Sequence, residues 1–320
     1  MLLTKKKRII FLTILIPFSI VFAFIMITKP HFFYKQPFKI FGYVAYDTCI
    51  YDDNAFTATN NGFYVNNVSD MNNINRGSFY DFDDTTFAIS VVNGDLYVGY
   101  ESGYLIQYDI TDIHNIIEKE RIHLSGTVTS ITSKDNHLYA STSSGNIYAI
   151  DLTDYTISST YTKNNEYIRD LLVYKNLLLF ASIDSGVGIL DLSEIDTLNY
   201  VTTLSNTSAS FDINIYENKL FVSRHSYGLT IFNISDNSSF SYSQNINNGG
   251  EAYSSDFNGE YLVIGDLQDG VETWKYNFST STFEYVETYI QSVPHVLFIK
   301  DDYIVIADQD LGLYILKLSE

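Results

Sequence analysis

One cysteine in 320 residues, Cys49, excludes an intramolecular disulfide and leaves no lipid-attachment cysteine near the N-terminus. Basic residues are scarce: 19 Lys and Arg stand against 38 Asp and Glu. Seven of the 19 fall within residues 1–39, which hold no acid, so the rest of the chain carries 12 basic and 38 acidic groups, a net charge of −26. Such a field excludes nucleic acid, which needs a basic footprint, and attracts cations and basic surfaces. Only one apolar run is long enough to cross a bilayer. His-Glu-x-x-His, Gly-x-Ser-x-Gly and a phosphate-cradling glycine loop are all missing. The six histidines are scattered, and Cys49, flanked by Asp47, Asp52 and Asp53, lacks the positive surroundings of a reactive thiolate.

What the chain has is a beat. Gly62, Gly103, Gly145, Gly186, Gly228, Gly270 and Gly312 are separated by 41, 42, 41, 42, 42 and 42 residues. Each lies between two apolar runs, as in NAFTAT-NN-GFYVNN or YLVIGD-LQD-GVETWKYN. The runs are rich in Tyr, Phe, Val and Ile, which suit a pleated packed surface, and the glycine supplies the positive φ of a hairpin turn. A further strand leads each unit (FAISVV, FDINIY, HVLFIK) and another trails it (RGSFYDF, EKERIHL, EYVETYI). Four strands in each of seven units of about 42 residues predict an all-β, seven-bladed β-propeller. The last unit stops before any trailing strand, and residues 38–46 (FKIFGYVAY) are strand-like and unassigned. That run is expected to close the last blade and leave no exposed edge.

The third strand of most units ends in a tetrad: Asn67-Val68-Ser69-Asp70, Asp109-Ile110-Thr111-Asp112, Asp151-Leu152-Thr153-Asp154, Asp191-Leu192-Ser193-Glu194 and Asn233-Ile234-Ser235-Asp236. Short oxygen-bearing side chains there start turns by capping backbone N–H groups, and the rival reading is a ring of metal ligands. With these tetrads, GLTIFNISD, GVGILDLSE and GLYILKLSE resemble the LVIVD repeat, Gly-Leu-x-Ile-x-Asp-Ile-Ser-Asp. The resemblance covers residues 38–320, although the proline that usually follows the motif is absent throughout. It implies a surface-exposed or secreted bacterial propeller and, since most members have no assigned activity, no particular chemistry. There is no Trp-Asp series, no double-glycine kelch pattern, and only Trp274 where quinoprotein blades would carry one tryptophan each.

Lys5-Lys6-Lys7-Arg8 precedes the uncharged run Ile9–Thr28. At about 20 residues this run is long enough to span a membrane, and it lacks the small-x-small site of a cleaved signal peptide. The expected organisation is a cytoplasmic tail (1–8), a transmembrane signal anchor (9–28), a juxtamembrane stalk (29–37) and the propeller (38–320). The basic N-terminal flank puts the tail inside and the propeller outside, periplasmic or at the cell surface.

In a propeller the leading strands line a central channel. Aligned on the hairpins that follow them, they offer Asp47, Ala88, Thr129, Arg169, Asp212, Ser254 and Val296 near the mouth, with Asn214 and Asp256 two residues further in. Phe87, Val128, Ile168, Phe211 and Tyr253 are expected to pack between blades. The candidate ligand-binding residues are therefore Asp47, Thr129, Arg169, Asp212, Asn214, Ser254 and Asp256, with no catalytic set. The rival for the charged ones is a wet channel whose charges compensate. No cofactor is expected; Asp81, Asp83 and Asp84 offer calcium oxygen ligands, but without EF-hand spacing. The function read from the sequence is non-catalytic binding or scaffolding of a protein, glycan or small cationic ligand. The alternative is an extracytoplasmic hydrolase or lyase, metal-dependent or not, acting at the channel mouth.

Overall fold

The computed structural model describes residues 43–318 except 195–196, 248 and 290–292. Every regular element among them is a β-strand, and the strands form seven antiparallel sheets in simple meander order. Blade one shows the plan: Ala45–Tyr51 is innermost, followed outward by Asn54–Thr59, Gly62–Asn67 and Asn75–Asp81. The inner strands of blades two to seven are Thr86–Val92, Val128–Lys134, Ile168–Tyr174, Asp212–Tyr216, Ala252–Phe257 and Pro294–Lys300. The seven-bladed propeller read from the glycine beat is the fold observed.

All seven beat glycines have positive φ, between 77° and 134°. At Gly62 a side chain would also strike the carbonyl of Tyr80 on the fourth strand, so sterics as well as φ fix the residue. Second and third strands are almost wholly buried, whereas fourth strands face solvent. Apolar side chains pack blade on blade: Phe56 and Phe63 with Ile89, Leu96 and Tyr100, for example, or Leu171, Leu178 and Phe180 with Tyr139 and Ile147. Ala55, Val68 and Ile74 of blade one meet Val305, Leu313 and Ile315 of blade seven, which closes the ring.

The tetrads are turn caps. Asp109 Oδ1 accepts the Thr111 N–H (2.9 Å), Asp151 Oδ1 that of Thr153 (2.7 Å) and Asp191 Oδ1 that of Ser193 (2.8 Å). Asp81 and Asp84 are similarly engaged, by the Asp83 N–H and the Ser102 hydroxyl. Among the described residues no three His, Cys, Asp or Glu are grouped to hold a metal.

Blade seven has three strands among the described residues, ending at Gly312–Lys317. Of the run expected to close it, residues 38–42 lie outside the described residues, as do 1–37. The last two residues of that run do not belong to blade seven. Ala45 pairs with Thr59, and Tyr46 sits in the same inner strand of blade one. Tyr43, however, lies against Gly312, with its carbonyl 2.9 Å from where a Cβ would stand. The carbonyls of Tyr80, Leu124, Lys163 and Ile246 take the same place at Gly62, Gly103, Gly145 and Gly228.

Candidate site at the channel mouth

Inner strands begin with an irregularity that decides what the channel presents. In blade one Ala45 pairs with Thr59 and Asp47 with Ala58, which leaves Tyr46 unpaired as a β-bulge. The same skip isolates Phe87, Thr129, Arg169, Tyr253 and His295. In blade five the equivalent residue is Phe211, which bonds Ser223 immediately before the inner strand starts. A bulge adds one residue on one side of a ladder and re-aims its side chain. All seven of these side chains, one from each blade, line a single cavity of about 220 Å³ at the end of the channel where the inner strands begin.

The bulge corrects the sequence reading. Phe87, Phe211 and Tyr253 line the mouth instead of packing between blades; only Val128 and Ile168 of that group are fully buried between them. Of the predicted site residues, Thr129 and Arg169 belong to the bulge ring. Asp47 and Asp212 also line the cavity, one residue further in, joined by Ser130, Asp170 and Val296. Ser254 is fully buried, and Asn214 and Asp256 are bonded to each other outside the cavity. Missed altogether were Tyr46, Tyr167, His295, Ser130 and Asp170. A signal for the ring was present: each bulge residue stands six positions before the positive-φ residue of the next turn, namely Asp52, Asn93, Asp135, Lys175, Glu217, Gly259 and Asp301. The sequence alignment mixed positions five and six residues before that turn.

The rings run around the mouth as a continuous arc over five consecutive blades. Centroids are separated by 4.6 Å (Phe87–Tyr46), 5.3 Å (Tyr46–His295), 5.7 Å (His295–Tyr253) and 4.9 Å (Tyr253–Phe211). The Arg169 guanidinium lies 4.2 Å from the Tyr253 centroid and 5.7 Å from that of Phe211, a cation–π arrangement. Burial, reinforced by the Arg169 charge, pushes the His295 pKa down to about 4, so its ring is neutral at pH 7.

Beneath the arc, carboxylates clasp blade to blade. Asp47 Oδ2 accepts the N–H of Ile89 (2.9 Å) and its Oδ1 that of Thr48 (2.7 Å). Asp170 takes the N–H groups of Ile213 (3.1 Å) and Leu171 (2.8 Å) and the Ser130 hydroxyl (3.0 Å). Asp212 takes the Ser255 N–H (3.0 Å), and Asp256 takes Ile299 (2.7 Å) and Phe257 (2.8 Å). Each clasp ties one blade to the inner strand of the next. Burial raises the Asp47 pKa to about 6 despite these bonds. Asp212 is driven well above the usual carboxylate range by burial and then by the charge of Asp170, itself raised by burial. Arg169 opposes the rise in Asp47, Asp170 and Asp212.

Cys49 fits the reading of a small packed hydrophobe. It lies against the core between blades one and two, and burial pushes its thiol up.

No family pattern and no curated protein matches this sequence. Solved structures do. The chain is similar to the WD40 repeats of RRP9 (TM-score 0.72, 9% identity, 89% of this chain and 97% of that one). It is also similar to U3-55K (0.70, 9%, 88% and 98%) and to the computationally designed Ika8 protein (0.64, 12%, 89% and 100%). The likeness is one of fold.

Proposed function

We propose that this protein is a non-catalytic binding module whose recognition site is the channel mouth. One observation carries the reading: seven equivalent residues, one per blade and six of them at β-bulges, turn their side chains into a single cavity. Loops and strand irregularities of a rigid ring are where a repeat fold can vary its surface without disturbing its core. Propellers are widely used as binding scaffolds, and the WD40 repeats of RRP9 share this architecture. The carboxylates that acid–base catalysis would use are engaged by backbone N–H groups of the neighbouring blade, which commits them to holding the ring together and weighs against the hydrolase or lyase alternative.

The proposal includes location. Residues 9–28 anchor the chain in a membrane, with residues 1–8 inside and the propeller outside; the resemblance to the LVIVD repeat supports surface display. Among the described residues no helix is long and apolar enough to cross a membrane, and the anchor lies outside them. A chain left in the membrane pellet after an alkaline wash, with its propeller open to protease from outside, is the expected result.

The binding reading is tested on the full chain by thermal unfolding with candidate proteins, glycans and small molecules, because whatever binds the native state raises the midpoint. A shift that is lost in Tyr253→Leu supports the mouth as the site. A shift undiminished by that variant places recognition elsewhere, and turnover of a bound compound replaces the binding module by an enzyme.

A further inference from the structure

The binding reading leaves the chemistry of the ligand open, and the cavity wall restricts it. We infer that the mouth takes a small organic cation, an alkylammonium or guanidinium head group, seated on the Phe87–Tyr46–His295 side of the aromatic arc above Asp47. The inference rests on the binding reading and adds the ligand class.

Arg169 provides the first argument. Its guanidinium already lies on the Tyr253 and Phe211 end of the arc, so half of the arc holds a cation in the protein as it stands. The other half, Phe87 with Tyr46 and His295, has ring-to-ring spacings of 4.6 and 5.3 Å against 4.9 Å for Tyr253–Phe211, and no cation lies on it among the described residues. Aromatic faces attract cations through the ring quadrupole, most strongly where the site is shielded from water.

Charge provides the second. Three acids, Asp47, Asp170 and Asp212, line the cavity with one permanent cation, Arg169. Burial holds Asp212 well above the usual carboxylate range, whereas Asp47, with a pKa of about 6, is ionised at pH 7 beneath the Phe87–Tyr46–His295 half of the arc. Glu101 adds a further negative charge close to Tyr46. Beyond residue 39 the chain carries a net charge of −26, which favours the approach of cations and repels anions.

Size and ligand type narrow the class. At about 220 Å³ the cavity is smaller than the roughly 300–1,000 Å³ of sites for drug-sized molecules, so it suits a head group or a small molecule. A hard metal ion needs several free oxygen ligands, and here both oxygens of Asp47 and of Asp170 are engaged by N–H groups while the facing wall is aromatic. A soft, weakly hydrated organic cation matches both surfaces.

The test is calorimetric titration of the full-length protein with choline, with its neutral isostere 3,3-dimethyl-1-butanol, and with acetate. Choline is expected to bind and the other two are not. Phe87→Leu and Tyr46→Leu keep apolar bulk and remove a π face; each should weaken choline by roughly 2- to 30-fold, the span of one cation–π contact. Their unliganded melting midpoints report whether the fold is intact. Arg169→Met should bind choline at least as tightly as the wild type, because a competing positive charge is gone. Equal binding of the alcohol would make the pocket merely apolar and overturn the inference. Acetate binding that vanishes in Arg169→Met would make it an anion site and also overturn it. If no probe binds but a ligand of another class still shifts the midpoint through Tyr253, the cation class fails while the binding module stands.

Discussion

Asp47 is held by two N–H donors, which favour its ionised form, and by burial, which opposes it more strongly. Its pKa of about 6 in the native state exceeds the 3.8 of a free carboxyl, so between roughly pH 4 and 6 the folded protein binds a proton that the unfolded chain does not. Stability from this group is therefore greatest at low pH and falls as pH rises through that window, by at most about 1.4 kcal/mol per pH unit. Asp170 and Asp256 act in the same direction. The turn caps Asp109, Asp151 and Asp191 act in the opposite one, since their pKa values are lowered by the bonds they accept. Asp47→Asn should flatten the decline in melting midpoint between pH 4.5 and 7; an unchanged slope would remove Asp47 as its source. At Gly188 a side chain would run into the buried Phe180 ring, so Gly188→Ala is expected to cost about 1–3 kcal/mol, read as a lower urea midpoint with an unchanged m-value.

At the scale of the strand, the inter-blade clasps are the feature that a hydrophobic pattern does not show. Asp256 satisfies an N–H of blade seven, from Ile299, and one of its own strand, from Phe257. Asp256→Ala leaves both without this acceptor, an expected loss of about 2–4 kcal/mol set against the relief of a buried charge. Asp256→Asn keeps an acceptor and should cost clearly less, and denaturant unfolding of the pair separates the two effects. Equal losses would show that packing, not the bond to the next blade, is what Asp256 supplies. The bulge is the other strand-scale device. By adding one residue at the start of six of the seven inner strands, it directs Tyr46 or Arg169 to the mouth while leaving the paired residues beyond it in register.

For the whole molecule the issue is closure of the ring. Blade one meets blade seven through Ala55, Ile74, Leu313 and Ile315, and Tyr43 sits over that seam. Its ring stacks on Tyr64 at 4.4 Å, Arg76 caps both rings, and burial pushes its hydroxyl up to about 12. Tyr43→Ala should therefore destabilise the entire propeller by about 2–4 kcal/mol. Tyr242→Ala, on an outer strand and 56% exposed, should lie within about 0.5 kcal/mol of wild type. Thermal unfolding of both decides whether the seam is a stabilising element of the ring; equal effects would show that it is not.

The order of strands, the number of blades and the turn chemistry were determined by the sequence alone, because each is a local matter repeated seven times. Glycine at a positive-φ turn, Asp or Asn capping a tight loop and β-branched or aromatic runs act within a few residues, and the beat of 41 or 42 adds them into a fold. The channel wall was not local. Whether Phe87 or Ala88 faces the lumen depends on one unpaired residue in a ladder, and a slip of one position sends each side chain to the opposite face. Thr129 and Arg169 were placed correctly because the alignment happened to match the bulge in blades three and four. Phe211, Tyr253 and His295 required the sheet itself. Likewise, the acid count was plain in the sequence, but only the packed ring made Asp47, Asp170 and Asp212 partners of the next blade's backbone, since those N–H groups lie 42 or 43 residues away along the chain.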